Sequence, residues 1–259
     1  MMHAKLLRRP LTVSVVALLV GAFVSLGCDD PPPKTNPFAA PSDTVKPPPI
    51  DSVPTPKGPT EFSVTLEGPK VGFSPILIEK KDGKERLAKA LEEEKQHIDG
   101  KDVPLAVDRK AKLDWVMAMF EGLYKLGATH IVVKTETRPS FHTTLSFTSQ
   151  SKVSSAPTCS VVAVVLKDRG TAVWKLAGGT ATKRSKGFAG PDLSMTGETI
   201  EKRAGACKDS SNIFLSADEG IEWGLVYDIG ASTKELEKVK LDTFILLQER
   251  PVAGHKVAL

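Results

Sequence analysis

Two stretches of the chain carry residue types suited to acid/base chemistry. LAVDRKAKLDW runs from Leu105 to Trp115, and LSADEGIEW from Leu215 to Trp223. Each ends an apolar run on an aspartate, Asp108 or Asp218, and each then sets an acidic residue directly before a tryptophan, Asp114-Trp115 and Glu222-Trp223. A carboxylate at the end of a buried strand can serve as a general acid or base. It can equally accept the N–H groups that a following helix leaves unpaired, for about 1 kcal/mol, and it suits the positive end of the helix dipole. The reading adopted is that Asp108 and Asp218 are strand-to-helix caps, with an envelope hydrolase as the catalytic alternative. Trp115 and Trp223 read as packing anchors.

Other chemistry was sought by spacing. The five histidines form no HExxH or comparable metal pattern, and no CxxC, GxSxG elbow or Walker loop occurs. The reading is therefore non-enzymatic, with no catalytic residue, metal or cofactor. The loop GGTATKRSKGFAG holds Lys183, Arg184 and Lys186, which either contact an anionic polymer or are solvated loop charges. A net charge of +4, spread along the chain, argues against a nucleic-acid partner.

Positioning these residues requires strands and helices in a particular order. EFSVTL alternates as a half-buried strand, EGPK reads as a turn, and VGFSPILIE as a second strand with Pro75 at an edge or bulge. Residues 85–97 form a helix, VPLAV a buried strand, Leu113 onward a helix stopped by Gly127, and HIVVKT a last strand. After a Ser/Thr-rich connection, in which SFHTTLSFT reads as an extra edge strand, the order recurs. SVVAVVLK and TAVWKLA form a hairpin, 193–207 a helix, NIFLSA a strand, 221–239 a helix and TFILLQE a strand. The expected fold is α+β, two tandem β-β-α-β-α-β units at 61–138 and 159–259, joined by 139–158.

The N-terminus is of another kind. Lys5, Arg8 and Arg9 precede an uncharged apolar run, 11–27, and then Cys28. This describes an export signal or a membrane anchor. SLGC resembles a bacterial lipobox, which implies lipidation of Cys28; an uncleaved membrane helix is the alternative. Residues 29–60 hold 11 of the 19 prolines and read as an extended tether of on the order of 100 Å at full stretch. Export permits a disulfide. If Cys28 is lipidated, Cys159 and Cys207 are the remaining pair, either bonded or two buried thiols.

VPLAVDRKAKLDWVMAMFEGLYKLGATHIVVKTE resembles the periplasmic domain of the ExbD/TolR biopolymer-transport family, in the strand ending at Asp108, the helix from Trp115, Gly127 and the strand ending near Thr135. IFLSAD, EWGLVYDI and FILLQERPVAGHKV match it more loosely. The family carries an aspartate within its membrane helix, and 11–27 has none, so no proton can be relayed there. The resemblance implies an envelope-anchored accessory or binding component in the periplasm of a Gram-negative-type bacterium. Its partners would be an ExbB/TolQ- or TonB/Tol-like machine, or peptidoglycan, and its tandem units would form an intramolecular pseudo-dimer. The alternative is a true transporter subunit held by 11–27, drawing its proton step from an ExbB/TolQ-like partner.

Overall fold

The computed structural model describes residues 60–205 and 211–259. Cys28, the export segment and nearly all of the proline tether lie outside them, as does Cys207. Among the described residues no helix is long and apolar enough to cross a membrane.

The strands are β1 (Phe62–Thr65), β2 (Gly68–Val71), β3 (Ser74–Pro75), β4 (Asp102–Val107), β5 (His130–Lys134), β6 (Thr144–Phe147), β7 (Val161–Val165), β8 (Thr171–Lys175), β9 (Thr182–Arg184), β10 (Ser211–Ala217) and β11 (Leu241–Leu246). The helices are α1 (Gly83–Glu93), α2 (Lys95–Ile98), α3 (Leu113–Lys125), α4 (Leu193–Ala204) and α5 (Trp223–Thr233). All the strands join one sheet, in the order β3-β2-β1-β4-β5-β6-β11-β10-β7-β8-β9. The expectation of two tandem α+β units is therefore overturned. The described residues form a single eleven-stranded mixed sheet.

The reason lies in β6. The residues read as an extra edge strand pair antiparallel with β5 (Ile131↔Phe147, Val133↔Leu145) and parallel with β11 (Phe244↔Phe147). A strand satisfied on both sides leaves no boundary between domains. What does recur is the pairing order about β6. On one side β2 is antiparallel to β1, which runs parallel to β4 and then β5; on the other β8 is antiparallel to β7, which runs parallel to β10 and then β11.

The main core lies between the helices and the inward residues of the whole sheet. It includes Val64, Leu105, Ile131 and Phe147 from the first strands and Ala163, Leu215 and Phe244 from the later ones. At the seam, Phe120 of α3, Phe147 of β6 and Trp223 of α5 pack in a triangle with ring centroids 5.4–6.2 Å apart, extended by Tyr227 and Phe244. Tilted and edge-to-face pairs of this kind add to their area of burial.

A second, smaller core lies on the opposite face, only under the later strands. Val162, Val164, Trp174, Phe214 and Ile245 are buried there with Val153, and the partly buried Val257 packs against them. The covering chain is pinned by Trp174 Nε1–H donating to His255 O (2.9 Å), Val257 N–H to Leu176 O (3.1 Å) and Gln150 Nε2–H to Ala258 O (2.9 Å).

Local differences from the sequence reading are small. The hairpin turns at Leu66-Glu67, and EGPK supplies β2, where Gly68 takes φ +128° and Pro69 accepts the Ile76 N–H at 2.8 Å. Helix α5 stops at Thr233, short of the expected Val239, and every residue in it is buried.

Candidate functional site

The two aspartate loops lie against each other. Lys112 and Glu222 form an antiparallel bridge, Leu113 N–H donates to Ile221 O (3.2 Å), and Trp223 N–H donates to Ala111 O (2.9 Å). Gly224 N–H donates to Arg109 O at 2.7 Å, and a Cβ on Gly224 would stand 2.9 Å from that oxygen, so glycine is required for the approach.

Neither aspartate caps a helix by its side chain. The N-caps of α3 and α5 are Lys112 and Glu222, neither with a side-chain cap bond. Asp108 Oδ1 instead accepts Lys110 N–H (2.8 Å), closing its own loop, and Asp218 Oδ2 accepts Lys167 N–H (2.7 Å) from the β7–β8 turn. The physical cause is spacing. Each helix begins five residues after its aspartate, too far for the carboxylate to reach the first free N–H groups.

The sequence reading missed a bidentate ion pair between the first loop and α5. Arg109 donates from both terminal nitrogens to the two oxygens of Asp228, each at 2.8 Å, and from Nη1 to Glu136 O at 2.8 Å. The Asp228 side chain is 3% exposed. Its hydrogen bonds hold the Arg109 guanidinium above its ordinary pKa, against the lowering effect of burial. A bidentate pair fixes geometry as well as charge, so it locks the first loop to α5. The partners are 119 residues apart, and no local pattern could announce them.

Trp223 is fully buried, with Nε1–H on Thr135 Oγ1 at 2.9 Å. Trp115 is half-buried, and Lys112 Nζ sits 4.7 Å above its ring. Burial raises the phenol pKa of both Tyr124 and Tyr227, and the Asp228 charge adds to the rise at Tyr227.

Two clefts flank the paired loops. One, of about 620 Å3, lies on the helix side around Trp115, with Lys112, Glu121, Glu219 and Gln248. The other, of about 730 Å3, opens at the C-terminal ends of β1, β4 and β5. Ser63, Thr65, Asp108, Lys110, Lys134 and Thr143 line it. The carboxyl ends of parallel strands are where open sheets of this kind take ligands. The described histidines that bond carboxylates, His97, His130 and His142, line neither cleft. Among the described residues no cluster of His, Cys, Asp and Glu has the make-up of a metal site.

No family model matches this chain, and neither a curated protein nor a solved structure does.

The remaining residues singled out in the sequence are scattered. Lys183 and Lys186 are exposed at the β9 edge, whereas Arg184 donates from Nε to Thr199 Oγ1 at 2.8 Å. Cys159 is buried and disulfide-bonded, and its partner lies outside the described residues.

Proposed function

We propose that this chain is a non-enzymatic binding component of a bacterial cell envelope, presenting one face of its sheet to an envelope polymer. The observation that supports this is the unequal cover of the sheet. On the face away from the helices, β7, β10 and β11 are sealed under residues of the same chain. On the same face, β1, β4, β5 and β6 show Ser63, Thr65, Ala106, Val132, Lys134, Thr144 and Ser146 to solvent in whole or part. A sheet face of alternating polar residues can stay wet without penalty and is free to receive a partner.

The cleft on that face combines hydroxyls with Lys110 and Lys134, both exposed, beside Asp108 and Glu136. Hydroxyls suit sugar rings, and the two lysines suit the carboxylates of peptide stems, so peptidoglycan is the partner of matching chemistry. The non-enzymatic reading draws on how the acid/base candidates are employed: both aspartates and Arg109 are occupied in holding loops together. A place beside an ExbB/TolQ- or TonB/Tol-like machine draws only on the sequence resemblance.

The test is co-sedimentation of the full chain with purified peptidoglycan sacculi. The Lys110→Gln, Lys134→Gln double variant should lose about tenfold in bound fraction at low salt, and loss should grow less as salt rises. Equal sedimentation of variant and parent would overturn the reading.

A further inference from the structure

The geometry points to a second surface: the loop carrying Phe188 is a contact for an anionic lipid bilayer. Phe188 lies between β9 and α4 with its side chain wholly exposed, 109% of the reference value. The loop that presents it is built. Lys186 and Pro191 form an antiparallel bridge, Gly187 N–H donates to Gly190 O at 2.7 Å, and Gly190 takes φ +139°, a conformation that strains any other residue. An aromatic ring held out by a closed turn stands in water without the reward of burial.

The surroundings set the partner's chemistry. From Arg169 to Pro191 the chain has no acidic residue and five basic ones, Arg169, Lys175, Lys183, Arg184 and Lys186. Lys183 and Lys186 are exposed, and their ammonium groups have no ion-pair or hydrogen-bond partner among the described residues. Of the nearby acids, Asp168 is engaged by Gly170 N–H (2.9 Å), Asp192 by Met195 N–H (3.1 Å), and Glu198 lies on α4. Met195, 38% exposed in the first turn of α4, adds a second apolar side chain. A ring flanked by free ammonium groups fits the boundary of an anionic bilayer, where aromatic side chains settle at headgroup level and each lysine is drawn by the surface potential.

Phe73 is the internal control. It is also fully exposed, at the turn between β2 and β3, but the neighbouring Lys70 is paired with Glu67 at 2.9 Å.

The experiment uses the full chain with Phe188→Trp, and Phe73→Trp in parallel, each read against the parent to subtract the native tryptophans. Vesicles are phosphatidylcholine with or without a third of phosphatidylglycerol, each also prepared with brominated acyl chains. The result expected is a blue shift and bromine quenching for Phe188→Trp on anionic vesicles, little on neutral ones, and neither for Phe73→Trp. Adding Lys183→Gln and Lys186→Gln should cut the inserted fraction about tenfold. Quenching that is absent, equal on neutral vesicles, or replaced by a blue shift on purified sacculi would overturn the proposal. These readouts follow the loop itself, so they hold whatever the N-terminal segment does.

Discussion

The strands on the two sides of β6 pair in the same order but are finished differently. Before β6 the sheet is covered on one face, and β1, β4, β5 and β6 alternate buried with exposed residues. After β6 it is covered on both: all five residues of β7 and six of the seven in β10 are buried. The helices differ in the same sense. Helix α3 keeps one side in solvent, whereas α5 is buried throughout and carries the Asp228 that anchors the first half's loop. One half of the molecule supplies stability and the other supplies free surface.

The largest effect that sharpens this contrast comes from the two tryptophans. Trp223→Ala empties the centre of the aromatic seam and strands the Thr135 hydroxyl, and should cost about 3–5 kcal/mol. Trp115→Ala removes a half-buried ring and should cost about 1 kcal/mol. Urea unfolding followed by circular dichroism measures both, and equal losses would break the contrast. Next, Arg109→Ala leaves the Asp228 carboxylate buried without its partner and should cost about 3 kcal/mol. Asp228→Asn in the same background should recover part of that loss, because the uncompensated charge is gone.

A smaller effect compares the sheet faces themselves. Val162→Ser puts a hydroxyl into the sealed face, and about 2 kcal/mol should be lost. Val132→Ser, on the open face, should stay within about 0.5 kcal/mol. Smallest at ordinary pH is the tyrosine effect. The chain has two tyrosines, and burial raises both phenols in the folded state. Their contribution is fully present below the unfolded value of about 10 and falls as pH climbs toward the raised folded values. Absorbance near 295 nm should show no phenolate in folded protein at about pH 10.5, and a melting temperature that declines above about pH 10.

Much of this contrast was legible in the residues. EFSVTL alternates and became a one-sided strand, while SVVAVVL and NIFLSA run nearly unbroken and became strands buried on both faces. The place of β6 was not legible. TLSF alternates like any half-buried strand, and nothing local tells a centre from an edge, because its neighbours come from positions before it and nearly a hundred residues after it. The repeated acid-tryptophan doublet misled for a related reason. Asp108 and Asp218 are 110 residues apart and occupy matching places in the paired loops, but the tryptophans are 108 apart. It is Leu113, the first residue of α3, that holds the place Trp223 holds as the first residue of α5. The doublet marks two helix starts out of step, and Asp228, which matters more, sat inside a helix with no motif around it.

The central claim is that the two halves are one cooperative structure joined through β6 and the paired loops. It is tested most directly by equilibrium urea unfolding of the folded region, followed at once by tryptophan fluorescence, which reports on α3 through Trp115, the seam through Trp223 and the second core through Trp174, and by far-ultraviolet circular dichroism. The account predicts a single transition with coincident midpoints for both signals. Two separated transitions, with half of the ellipticity surviving the first, would contradict it.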